Sequence, residues 1–158
     1  MSRRAIVIAV ALAAAIAGYL YWASDERQIR RLLDGVADAV TQHEGEGGVA
    51  GLAEVAGLTR YLAPDVTFEP GAPFAPIAGA QDLVSTAGRV RAVMASVQLT
   101  FADVQIAVDG HAASVRATAR LALRDRNGDD SVETGDAQIA LEKRGTGWVI
   151  AAARAQSR

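Results

Sequence analysis

The sequence contains no cysteine, which excludes disulfides, thiolate nucleophiles and cysteine-bound zinc. Histidine occurs only at His43 and His111, so a histidine-rich metal site is excluded as well. Lysine occurs once, at Lys143, against 15 arginines. Acidic and basic residues nearly balance, at 18 to 16, and the net charge of -2 offers no basic excess for a phosphate backbone. Nucleic acid is therefore not an expected partner. Aromatic residues make up only 5% of the chain. What fills the apolar quota of 51% is alanine, at 34 of 158 positions, so the core has to be assembled from small side chains. Length and composition together predict one ordered domain with an appendage.

The appendage is N-terminal. Arg3 and Arg4 precede a charge-free run from Ala5 to Trp22. As a helix this run spans about 27 Å, close to the roughly 30 Å hydrocarbon core of a bilayer. Tyr19, Tyr21 and Trp22 gather at its far end, where amphipathic rings favour the membrane interface, and the two arginines predict a cytoplasmic N-terminus. Residues 1–23 thus read as a single-pass anchor (an uncleaved signal) in the inner, cytoplasmic membrane. Residues 24–158 read as a periplasmic or extracellular domain. A cleaved signal peptide is the competing reading, since Ala15-Ile16-Ala17 has small residues at cleavage spacing. The apolar run continues past that point into the aromatic cluster, which favours the anchor.

Beyond it, Ser24 is an expected N-cap, with Asp25 and Glu26 in the first helical turn. Ile29, Leu32, Leu33, Val36 and Val40 follow helical spacing as far as Glu44, and Gly45-Glu46-Gly47-Gly48 breaks the helix. A second helix is expected over Val49–Leu62, with Leu52, Val55, Ala56 and Leu58 on its apolar side. A short strand follows at Val66–Glu69, then a proline-bearing loop from Gly71 to Gly79, then a helix to about Met94.

From Ser96 the period changes to two. Val97, Leu99 and Phe101 alternate with polar residues; then the parity shifts, and Val104, Ile106 and Val108 carry the pattern. A shift of one residue turns the apolar set to the other face unless an extra residue is inserted, so a β-bulge is expected at Ala102-Asp103. Asp109-Gly110 marks a hairpin turn. Alternation continues through Ala113–Leu123 and Ala137–Leu141, and Gly145-Thr146-Gly147 turns the chain into a last strand at Trp148–Ile150.

This order of elements, with Leu62-Ala63-Pro64-Asp65-Val66-Thr67-Phe68-Glu69-Pro70, Ile77-Ala78-Gly79 and Gly147-Trp148-Val149-Ile150 at its junctions, resembles the nuclear transport factor 2-like (SnoaL-like) superfamily over roughly residues 25–155. The resemblance implies an α+β fold: a cone-shaped, bent antiparallel sheet packed on three helices, here preceded by one transmembrane helix. It also implies an apolar pocket in many members, and a range of activities from isomerases and cyclases to non-catalytic binding. The ketosteroid isomerase branch takes a tyrosine from the first helix. None lies between Ser24 and Glu44, so those catalytic residues are not carried over.

Three functions follow as expectations. The first is a membrane-anchored domain that binds a small apolar ligand or a partner protein, without catalysis. Its pocket would be lined by Phe68, Phe101, Ala113, Ala117 and Ala119. The second is an isomerase- or cyclase-type enzyme using Asp103, with Tyr61 as a hydrogen-bond donor. The third is a structural component of an envelope assembly. Asp103 is expected to be at least partly exposed at the bulge, which disfavours the second. No cofactor and no metal are expected. Asp125-Arg126-Asn127-Gly128-Asp129-Asp130 has oxygens at calcium-loop spacing, but Asp130 stands where the loop glycine belongs, so a solvated turn is the better reading. Arg116 and Arg120 share one strand face and are expected near Asp136 or Glu142.

Overall fold

A computed structural model describes residues 3–46 and 49–157. Gly47 and Gly48 of the expected break, and Met1 and Ser2 before the anchor, lie outside the described residues. Three α-helices and six strands are present: α1 (Arg3–Val40), α2 (Val49–Ala56), α3 (Ala80–Val93), and β1 (Leu62–Glu69), β2 (Ile77–Ala78), β3 (Met94–Asp109), β4 (Ala112–Asp125), β5 (Asp130–Arg144) and β6 (Gly147–Ser157). A 3₁₀ turn, Gly57–Tyr61, joins α2 to β1. The strands form one open sheet in the order β2-β1-β6-β5-β4-β3. All neighbours are antiparallel except β1 and β6, which run parallel.

The anchor and the first domain helix are one helix of 38 residues. Ser24 therefore does not cap a helix start. No proline or glycine lies between Tyr19 and Gly35 to interrupt the backbone ladder, so the change from apolar to amphipathic sequence leaves the helix geometry intact. The apolar half is exposed all round. It makes α1 long and apolar enough to cross a membrane, with a mean hydropathy of 1.8 and none of its most apolar stretch buried. From Asp25 onward the helix buries one face, Ile29, Leu32 and Leu33, against the sheet.

The core lies between that face, Val55 and Leu58 of the α2 region, and the concave side of the sheet at Val115, Ile139, Leu141, Trp148 and Ile150. Alanines at 63, 80, 113 and 117 complete it, as the composition requires. The α2 segment departs from expectation. Leu52 is exposed, because the helix ends after two turns and the chain tightens at Gly57, leaving Val55 and Leu58 as the buried residues. β1 begins earlier than expected, at Leu62. Its pairing with β6 slips between Leu62 and Thr67, the stretch holding Pro64, which has no N–H for the ladder.

The bulge falls where the parity shift predicts it. Ala102 pairs with Thr118 but Gln105 with Arg116, so one extra residue is accommodated between them. Asp103 takes a left-handed backbone, φ 52°, a conformation that aspartate tolerates better than most residues. Leu99 and Phe101 on one side of the bulge and Val104 and Ile106 on the other are all half-buried, whereas Asp103 is exposed.

Candidate functional site

A groove of about 620 Å³ runs between α1 and β3. Its apolar floor is made by Leu33 and Ala37 of α1 and by Leu99, Phe101 and Val104 of β3, all buried or half-buried. Its rim is polar and exposed: Arg30, Asp34 and Asp38 on the helix and Thr100 on the strand. The helical residues recur three or four apart, so one face of α1 supplies them. The bulge carries the apolar pattern of β3 across to Val104, which keeps both Phe101 and Val104 on the groove side. Arg30 is held by Glu26 one turn earlier, at 2.9 Å. The site offers apolar contact with a few charges at its edge, and its volume falls within the usual range of small-molecule sites.

Of the residues expected to line a pocket, Phe101 is in the groove, and Ala119 is its cross-strand partner on β4. Ala113 and Ala117 belong to the buried core beneath the helices. Phe68 is half-buried on β1, toward the opposite edge of the sheet from β3, and is not in the lining of this groove. Leu33, Ala37, Leu99 and Val104 complete the groove instead. They follow the same helical and strand periodicities as the core, and local patterning does not separate a groove floor from a core.

Asp103 lies outside the groove lining, and its carboxylate accepts a hydrogen bond from Thr118 Oγ1 at 3.4 Å. Tyr61 packs its ring on the backbone of α1 at Gly35, where an added Cβ would lie 2.6 Å from its Cζ. Asp103 and Tyr61 are not brought together by any contact among the described residues. In the Asp125–Asp130 loop the oxygens close a turn. Asp125 accepts from the backbone N–H groups of Asn127 and Asp129, at 2.8 and 2.9 Å, which holds its carboxyl below the usual value, and Asp130 pairs with Arg124 at 2.7 Å. Arg116 faces Gln138 and Arg120 faces Thr134 across the β4–β5 ladder, while Asp136 faces Thr118 and Glu142 is ion-paired with Arg144.

Two buried polar clusters were not legible in the sequence. Within α1, where its burial begins, Asp25 is only 2% exposed. Its Oδ1 accepts from Lys143 Nζ at 2.9 Å and from Trp148 Nε1 at 3.1 Å, while Oδ2 is buried without a partner among the described residues. Lys143 also donates to the Tyr21 hydroxyl at 2.8 Å, and its ammonium sits 4.6 Å from the Tyr21 ring centroid and 5.6 Å from that of Trp148. Burial pushes the Asp25 carboxyl up. The hydrogen bonds from Lys143 and Trp148, with the ammonium charge, outweigh it and hold the carboxyl below its ordinary value. The hydrogen bonds to Tyr21 and Asp25 in turn raise Lys143. The available signal was the single lysine, adjacent to the last-strand tryptophan in the hairpin register.

Near the C-terminal end of α1, Arg91 of α3 is buried and donates to Gln42 at 2.9 Å, to the Ala39 carbonyl at 3.1 Å and to Glu54 at 3.1 Å. Gln42 in turn exchanges two backbone hydrogen bonds with Val97. This cluster ties α1, α2, α3 and β3 together, and its donors face protein groups.

The solved structures similar to this chain share its fold. They include a hexachlorocyclohexane dehydrochlorinase, LinA type 2, with 9% identity, TM-score 0.73 and 88% of each chain covered. They also include an NTF2-like protein with a cystatin-like fold from Novosphingobium aromaticivorans, with 14% identity, TM-score 0.69, 89% of this chain and 86% of that one. A third is the Kfla4162 protein of Kribbella flavida, with 14% identity, TM-score 0.72, 85% of this chain and 90% of that one. The chain has the NTF2-like fold. At these identities the likeness extends to the fold alone, and an NTF2-like fold does not by itself determine an activity. No family model and no curated protein matches the sequence.

Proposed function

We propose that this is a membrane-anchored NTF2-like domain that takes a small apolar ligand in the groove between α1 and β3, on the outer side of the cytoplasmic membrane. The observation that carries the reading is the groove itself, with Leu33, Leu99, Phe101 and Val104 as floor and charges only at the rim. The dehydrochlorinase neighbour acts on hexachlorocyclohexane, a small apolar molecule, which is consistent with this class of ligand for the fold. Anchoring is supported by the exposed apolar half of α1, and an outward-facing domain by Arg3 and Arg4 at its start. Among the described residues the groove lining holds apolar side chains with Arg30, Asp34 and Asp38 exposed at the rim, and the reading is binding, with no catalysis implied.

A second reading, a partner protein as the occupant, is favoured by one observation: Val49 and Leu52 on α2 and Val90 and Val93 on α3 leave apolar side chains exposed. Extraction of the purified full chain followed by mass spectrometry separates the two. A small apolar molecule that co-purifies with the protein, and is lost from Phe101→Glu, supports the ligand. Equal recovery from both proteins, or none above a membrane blank, counts against it.

A further inference from the structure

We infer that the domain is seated on the bilayer, not suspended below it, with the β5–β6 turn (Arg144–Gly147) and the adjacent β3–β4 turn at Gly110-His111 resting among phospholipid headgroups. This rests on the anchoring reading above.

The first support is continuity. α1 passes from its apolar run into the domain without a linker. Asp25 follows Tyr21 by four residues, about 6 Å along the axis. The headgroup layer on each side of a bilayer is about 5–7 Å thick, from roughly 30 Å of hydrocarbon within about 40–45 Å in total. With the Tyr21 ring at the hydrocarbon boundary, Asp25 and the two groups that grip it, Lys143 and Trp148, fall at the headgroup level.

The second support is the latch. Lys143 Nζ lies 2.8 Å from the Tyr21 hydroxyl and 2.9 Å from Asp25, and its side chain is only 10% exposed. The domain is thereby joined to the anchor at residue 21, inside the apolar run, through a residue 122 positions away. Swinging the domain away from the anchor would break the Lys143 contacts to Tyr21 and uncover its pair with Asp25.

The third support is direction. α1 meets Lys143 and Trp148 at Asp25, and beyond its C-terminal end Gln42 bridges to Val97. Val97 pairs with Leu123, and Leu123 with Ser131 of β5. β5 therefore runs opposite to α1, from Ser131 toward the anchor at Lys143. Gly145 and Thr146 continue it by about 3.4 Å per residue, toward the level of Tyr21. The Lys143 N–H donates to the His111 carbonyl at 2.8 Å, which brings the β3–β4 turn alongside. Arg144 is already paired with Asp65 and Glu142, so geometry and not lipid charge sets the contact.

Because the chain has no cysteine, single labels can be placed at will. Thr146→Cys and Asp129→Cys, each carrying an environment-sensitive fluorophore, are compared in the full chain reconstituted into phosphatidylcholine vesicles containing headgroup-spin-labelled lipid. Strong quenching at 146 and none at 129, on the order of 45 Å further along β5 and its turn, is the expected result. Lys143→Met should lose the quenching at 146 while the protein still co-floats with vesicles. Tyr21→Phe, which keeps the ring and removes only the hydroxyl, should weaken the quenching with the domain still folded. A co-floating protein with no quenching at 146 overturns the seating and leaves the anchor standing. Protein that does not float overturns both. Undiminished quenching in both latch variants overturns the role of Lys143.

Discussion

The two halves of α1 are one helix with two kinds of surface. Val7, Leu12, Ile16 and Leu20 are more than half exposed, as are Tyr19 and Tyr21, with no face turned inward. Two to three turns later Ile29, Leu32 and Leu33 are buried while Arg31, Asp34 and Asp38 are exposed. The backbone does not register the change. An apolar segment without periodicity buries no face against the domain, which it touches at Tyr21 through Lys143, and such a surface suits hydrocarbon. An amphipathic segment needs one wet face and one dry one. The difference teaches that helix boundaries and packing boundaries need not coincide: burial starts near Asp25, well inside a helix.

The largest expected effects break this comparison by making like substitutions in the two halves. Leu33→Ala should destabilise the domain by about 3 kcal/mol, the typical cost of emptying a buried leucine site. Leu12→Ala should leave the domain's unfolding unchanged, and thermal denaturation monitored by circular dichroism of the sheet reads both. Asp25→Ala removes the carboxylate from a buried pair and should cost about 3 kcal/mol, since the remaining partner is left buried and unpaired.

The Asp25 pair also gives stability a dependence on pH at both extremes. The Asp25 carboxyl is lowered on folding, so its contribution is complete above the ordinary carboxylate value and is lost as pH falls through the lower folded value. Lys143 is raised, so its contribution is complete below the ordinary lysine value and is lost as pH rises through the higher folded one. Melting curves between those limits should be flat for this pair. Lys143→Met should remove the alkaline loss.

Glycine sharpens the contrast. A side chain at Gly18 would meet nothing within 4 Å, whereas one at Gly35 would run into the Tyr61 ring. Gly18→Leu should leave the melting temperature unchanged and Gly35→Leu should lower it by several degrees, of the order expected for overpacking by about 1–3 kcal/mol. The smallest effect belongs to Asp103→Asn. The residue is exposed, and asparagine accepts a left-handed backbone at least as well, so the change in stability should stay within about 0.5 kcal/mol by chemical denaturation.

What could be read in advance was what repeats locally. The alternation of β3 through β5 and the parity shift between Phe101 and Val104 located the strands and the bulge, because a period of two leaves a trace in neighbouring residues. The continuity of α1 through Ser24 was missed, because a good capping residue is also tolerated inside a helix when no glycine or proline forces a stop. The Asp25–Lys143–Trp148 cluster joins residues 118 and 123 positions apart, and such a pairing leaves no local pattern. The groove was half legible. Phe101 lies in it, but Leu33 and Val104 look like core until the packing of α1 on β3 is known, and Phe68 lies toward the opposite edge of the sheet.

The account stands on α1 changing solvent near Trp22, and cysteine scanning of that helix in the otherwise cysteine-free chain tests this most directly. Single cysteines from 7 to 40, in the full chain reconstituted into vesicles, are challenged with a membrane-impermeant maleimide. The account predicts that positions 7 to 20 are protected all round, without periodicity. Beyond Asp25 reactivity should follow the helical repeat, high at Arg27, Arg31, Asp34 and Asp38 and low at Ile29, Leu32 and Leu33. Uniform reactivity from 7 to 20 would show that this half of the helix lies in water and would contradict the account.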